Sequence, residues 1–133
     1  MSTRSLLGIR LPDKTIQWVY CHFDGYPENM EPKLHSYFNT YEDAYSLISK
    51  GQLRFIGEGL DDCNYAEEND ISGIAKNLAE FLELDHWSDY KYLFYNGEWY
   101  WVQTWNYKYK PDYMDILPYE YKGITTDIDY EGD

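Results

Sequence analysis

Along residues 90–103 aromatic and other side chains alternate in two runs, Tyr-Lys-Tyr-Leu-Phe-Tyr and Glu-Trp-Tyr-Trp-Val-Gln, joined by Asn96-Gly97. A two-residue loop of type I′ needs positive φ at both central positions, which Asn tolerates and Gly adopts freely, so the pattern predicts a hairpin. Its register pairs Tyr95 with Glu98, Phe94 with Trp99, Leu93 with Tyr100 and Tyr92 with Trp101. Tyr92, Phe94, Trp99 and Trp101 then share one face, the largest apolar surface the chain offers. The opposite face, with Lys91, Glu98 and Tyr100, reads as the wetter one.

A second hairpin is expected near the start, where residues 5–10 alternate weakly, 11–14 form a turn, and 15–23 are rich in β-branched and aromatic residues. Ile16, Trp18, Tyr20 and His22 fall on one face of that strand and Gln17, Val19, Cys21 and Phe23 on the other. Apolar residues on both faces suggest a central strand. Asp24-Gly25-Tyr26-Pro27 ends it by turn chemistry. Met30, Leu34, Tyr37 and Phe38 recur at near-helical spacing and predict a helix over about 31–38. Thr40 three residues before Asp43, with Gly51 after Lys50, frames a helix over 41–50 that buries Ala44, Tyr45 and Ile48. Residues 52–56 read as a short strand and 57–70 as an acidic loop. Ile71, Ile74, Ala75, Leu78, Phe81 and Leu82 predict a helix to about Leu84 with Asp70 as N-cap. A last strand is expected over 116–121. The fold expected is α+β, an antiparallel sheet built from two hairpins with two or three helices packed on one face.

Length and charge then narrow the picture. The 133 residues suit a single domain that needs no disulfide or metal to stabilise its core. Twenty-four acids against eleven bases give a net charge of −13, in a chain that is 20% aromatic. Acidity with many aromatics reads as a folded core under a negative surface rather than as disorder. The charge is concentrated: residues 1–56 are neutral, 57–89 carry −9, 90–110 carry +2 and 111–133 carry −6. Such a surface argues against direct nucleic-acid binding and for a basic protein partner, while solubilisation of a small domain is the plainer explanation. Two cysteines without a CxxC, and no apolar run of signal or membrane-span length, point to a reduced cytoplasmic setting with no membrane partner.

Catalytic and cofactor chemistry finds little support. Cys21 and His22 are adjacent on a strand, so they point to opposite faces and cannot form a dyad. His22 and Asp24, with His35, His86 or Cys63, lack zinc-ligand spacing, and Gly57-Glu58-Gly59 is not followed by the Lys-Ser or Lys-Thr of a phosphate loop. No metal, cofactor or catalytic residue is assigned, and a non-enzymatic role is favoured. Two binding sites are expected instead. Asp61, Asp62, Glu67, Glu68 and Asp70 in the acidic loop, with Asp127, Asp129 and Glu131 in an acidic tail over about 122–133, would bind a basic partner. Alternatively, Arg4, Arg10, Trp18, His22 and Asp24 would hold an anionic nucleotide, Trp18 supplying the stacking surface.

Three stretches carry a resemblance: Met1-Ser-Thr-Arg-Ser5, Val19-Tyr-Cys-His-Phe-Asp-Gly-Tyr-Pro-Glu28 and Tyr92-Leu-Phe-Tyr-Asn-Gly-Glu-Trp-Tyr100. Together they resemble a family of short, uncharacterised phage and prophage proteins, in which Trp stands where this chain has Phe23. The family brings no catalytic residues. By analogy with acidic phage proteins that imitate DNA to block restriction or CRISPR effectors, the resemblance implies an inhibitor working in the bacterial cytoplasm. Its target would be a basic host defence protein that handles nucleic acid; the alternative is a protein that sequesters or degrades a defence signalling nucleotide.

Overall fold

Two hairpins form where alternation and turn chemistry place them. β1 (Ser5–Arg10) pairs antiparallel with β2 (Ile16–Cys21), and β6 (Tyr90–Tyr95) with β7 (Glu98–Gln103). Asn96 and Gly97 take φ values of 53° and 85°, and all four expected cross-strand pairs are present. The computed structural model describes residues 3–66, 70–84 and 86–103. The strand expected over 116–121 and the acidic tail lie outside the described residues.

The sheet is mixed rather than antiparallel throughout. Its order is β4-β3-β2-β1-β6-β7, with β5 also on β2, where β3 is Leu53–Phe55, β4 Asn64–Tyr65 and β5 Ser72–Ala75. The two hairpins abut through a parallel β1–β6 pair, Ser5 opposite Tyr90 and Ile9 opposite Phe94, and β2 also meets β3 in parallel at Cys21–Leu53. Parallel neighbours need long crossovers. The helices α1 (Pro27–Tyr37) and α2 (Tyr41–Ser49) provide one between β2 and β3.

Helices cover both faces, not one. Against α1 and α2 lie Leu7, Ile9, Val19, Cys21, Tyr92, Phe94 and Trp99. Leu6, Ile16, Trp18, Tyr20, Leu93 and Val102 face Leu78, Phe81 and Leu82 of α3 (Leu78–Glu83). A strand that is apolar on both sides must be covered on both, so the central position inferred for β2 already implied a second layer. Gly8 makes that layer close: a Cβ there would stand 2.9 Å from the Phe81 ring.

Several local expectations are corrected by the same packing. The helix expected over 71–84 is β5 followed by α3, and its N-cap is Asn77, whose side chain accepts from the Glu80 N–H at 2.9 Å. α1 starts at Pro27 rather than near 31, because the missing N–H of Pro costs nothing in a first turn. Lys91 is buried, its Nζ donating to the Leu82 carbonyl at 2.7 Å, so the face expected to be wet carries the second core. Tyr45 is 41% exposed; Leu47 takes the buried place. The acidic loop contains a 3₁₀ turn (Leu60–Asp62) and β4.

The cap at Thr40 stands as the sequence suggests, its hydroxyl accepting from the Asp43 N–H at 3.1 Å. Thr40→Ala should therefore lower unfolding free energy by about 1 kcal/mol. Urea denaturation checks this, and an unchanged midpoint would show that α2 is held by packing alone.

Candidate functional site

The acidic segment is built around a thiol. Cys63 Sγ accepts from the Gly57 N–H at 3.3 Å and donates to the Gly59 carbonyl at 3.4 Å, while Asp62 accepts from the Glu58 N–H at 3.0 Å. Burial pushes the Cys63 thiol up, which keeps the proton it donates. Gly57 is required: a Cβ there would lie 2.3 Å from the Asp62 carbonyl oxygen. The turn fixes Asp61 and Asp62 on the surface, both exposed.

Asp70 closes the other end of the segment. Its Oδ1 accepts from the Gln52 N–H at 2.7 Å and its Oδ2 from the Ser72 hydroxyl at 3.1 Å, so it ties β5 to the start of β3. Gly51, at φ 110°, makes room for that carboxylate. Beside it lies a cavity of about 250 Å³ between the C-terminal end of α2 and β5, lined by Gln17, Ile48, Ser49 and Ile74 among others. Asp62 bonds at Glu58 and Asp70 at Gln52, so at most about 20 Å of extended chain separates the two. Glu67 and Glu68 between them, and Asp127, Asp129 and Glu131 of the tail, lie outside the described residues.

Two cationic side chains beside the segment are engaged: Lys33 donates to Asn29 and to the Ile56 carbonyl, and Lys50 sits over the Tyr65 ring. Among the described residues fourteen carboxylates stand against eight Lys and Arg side chains. The excess therefore extends to the folded surface and is not confined to the tail.

The alternative nucleotide set is only partly assembled. Arg4, Tyr20 and His22 meet: the Tyr20 hydroxyl bonds His22 Nδ1 at 2.9 Å, and the Arg4 charge acts on the same phenol. Burial pushes the Tyr20 phenol up, against the opposing pull of the Arg4 charge. Asp89 accepts from the Arg4 backbone N–H at 3.2 Å. Arg10 is at the far end of β1, about 20 Å along the strand from Arg4. Trp18 lies on the α3 face with His86 against its ring at 5.1 Å. Asp24 serves the turn into α1, its carbonyl accepting from Asn29 Nδ2 at 2.8 Å with φ at 57°. Cys21 and His22 are divided by the sheet, as the strand period requires. Among the described residues no group of three metal-ligating side chains converges, and no helix is long and apolar enough to cross a membrane.

Three surface residues were missed by the sequence reading: Asp13, Tyr41 and Tyr45, which line a groove between α2 and the β1–β2 turn. The signal available was the i, i+4 spacing of the tyrosines on a helix whose other side holds Ala44, Leu47 and Ile48.

Among the described residues the fold is α+β, with a mixed sheet and three helices. No protein-family model, curated protein or solved structure matches the chain.

Proposed function

We propose that the chain is a phage-encoded inhibitor of a host defence system, binding stoichiometrically through an acidic, tyrosine-rich surface to the nucleic-acid site of a basic defence protein. The observation that carries this reading is the display of Asp61 and Asp62 on a turn whose shape depends on Gly57 and Cys63, in a chain of net charge −13. Carboxylates held at fixed separations can occupy Lys and Arg positions that otherwise receive phosphates.

The test is capture from host lysate at low and raised salt, with duplex DNA added as competitor. Retention of a nucleic-acid-binding protein that both salt and DNA displace supports the reading. Reversing Asp61, Asp127, Asp129 and Glu131 to Lys should weaken that binding at least about tenfold at low salt and flatten its salt dependence. Unchanged affinity would sink the mimicry.

A second reading rests on the Arg4–Tyr20–His22 contact, which presents two potential anion donors beside one phenol. A protein that sequesters or degrades a signalling nucleotide would gain melting temperature with that ligand, by several degrees at a hundredfold excess over Kd. A flat response across mono-, di- and cyclic nucleotides removes it.

A further inference from the structure

The groove between α2 and the β1–β2 turn has a composition that selects its occupant. Tyr41 and Tyr45 stand one helical turn apart, 42% and 41% exposed, with ring planes within 5° of parallel and centroids 6.2 Å apart. Leu11, Pro12 and Asp13 form the facing wall of a space of about 400 Å³. Asp13 is a fixed charge: the Thr15 N–H and hydroxyl both donate to its Oδ1, at 3.0 and 2.6 Å, which leaves Oδ2 to accept from outside. Those two bonds hold its carboxyl below the usual range. Partial burial raises the Tyr41 phenol, and the neighbouring Tyr45 and the Asp13 charge add to this, so the three groups act on one another electrostatically.

From this arrangement we propose that the groove is an arginine-reading site, in which a partner's guanidinium stacks on Tyr41 and Tyr45 and donates to Asp13. A guanidinium is planar and weakly hydrated, so it can lie on a π face and present in-plane N–H groups to a carboxylate at once. An ammonium is a strongly hydrated point charge and uses the rings less well. A nucleotide or phosphopeptide would bring its anion against Asp13, and Glu42 and Asp43 of the first turn of α2 add to that negative charge. A purely apolar or proline-rich segment would use the rings and leave Asp13 without a role. Lys14, next along the turn, is not among the residues lining the groove. The proposal rests on the inhibitor reading: an arginine that normally grips phosphate is the group such a partner would offer.

The test uses the full chain and two blocked tripeptides, acetyl-Gly-Arg-Gly-amide and its citrulline counterpart, which has the same shape without the charge. Binding is followed by NMR at the Tyr41 and Tyr45 ring resonances. The arginine peptide should bind at least about threefold more tightly than the citrulline one, and Tyr45→Ala and Asp13→Asn should each remove that preference. The amide oxygen introduced by Asp13→Asn can still accept from Thr15, so the turn is kept, and unchanged backbone resonances confirm folding. Equal binding of the two peptides, or shifts spread over the acidic surface and indifferent to both variants, overturns the proposal. Its failure is distinct from failure of the inhibitor reading: the first leaves salt-sensitive capture through Asp61 intact, while the second leaves arginine binding in the groove with no nucleic-acid-handling partner retained.

Discussion

Trp99→Ala should lower the unfolding free energy by about 3–5 kcal/mol, the range for removing a large aromatic from a packed interior. Trp99 is 6% exposed in the core under α1 and α2, with Phe94 edge-on to it at 5.3 Å. Its Nε1 donates to the Phe38 carbonyl at 2.8 Å, just past the end of α1. The substitution therefore opens a cavity and leaves a helix-terminal carbonyl without its donor, a loss of about 1–3 kcal/mol where water cannot replace it. Trp99→Phe helps to separate the two terms, since it loses the hydrogen bond outright and opens a much smaller cavity than alanine does. Trp101 is half-buried, bonded through its indole to Glu31, and its replacement by alanine should cost less. Chemical denaturation of the three variants gives the ranking. A Trp99→Ala loss below about 1 kcal/mol would show that the hairpin is not the platform on which α1 and α2 rest.

How far the fold could be read follows from the range of the interactions involved. The Asn96-Gly97 hairpin was legible because turn chemistry and a period of two are local, and together they fix register to the residue. The parallel contact of β1 with β6 was not, because it joins Ser5 to Tyr90 and no short-range pattern records such a pairing. Residues 71–84 show a different limit. Ile71, Ile74 and Leu78 fit a helix, yet Ser72-Gly73 favours a helix poorly and Gly73 lets β5 lie against the Trp18 ring, where a Cβ would be 2.9 Å away. Asn77 and Glu80 carry the start of α3 as a cap, seven residues beyond the Asp70 that the apolar spacing suggests. Lys91 falls on the face that the alternation gives it, with Leu93 and Tyr100, but its charge suggests a wet surface where the second core lies.

The surface was legible in charge and not in geometry. Sequence could say that residues 57–89 are acidic. Only the hydrogen bonds reveal that Asp70 ties β3 to β5 and that Asp62 braces its own turn, which sets Asp61 beside it on the surface. Similarly, Arg4 and Arg10 looked alike as strand arginines until β1 set them at opposite ends, one on Tyr20 and the other over Tyr95. The helical spacing groups Tyr45 with Ala44 and Ile48, yet Tyr45 is exposed. Leu47 and Ile48, with Ala44, already fill the buried side of α2, and this is what leaves a tyrosine pair facing Asp13.

Alkaline solution should expose the cost of the buried thiol at Cys21. Burial pushes it from 9.0 up to about 12, with the Phe23 carbonyl as its nearest hydrogen-bond acceptor at 3.6 Å. Between those values the unfolded chain releases the proton and the folded chain retains it. The unfolded state thus binds fewer protons, and stability falls as pH rises. The stabilisation is complete below about pH 9 and is lost progressively toward pH 12, at up to about 1.4 kcal/mol per pH unit, or about 3 kcal/mol by pH 11. Tyr92, whose hydroxyl donates to the Gly25 carbonyl at 2.6 Å, and Tyr65, whose hydroxyl donates to the Leu47 carbonyl at 3.1 Å, are also raised by burial. They steepen the decline once unfolded tyrosines begin to ionise near pH 10. The informative window is therefore pH 9–10, where the thiol acts before the phenols. Urea unfolding under reducing conditions at pH 8, 9 and 10 should show Cys21→Ala starting less stable and declining less steeply, with Cys63→Ala, from a half-buried site, altering the slope less. Parallel declines in the parent and in Cys21→Ala would mean that the Cys21 thiol ionises as readily in the folded protein as in the unfolded chain.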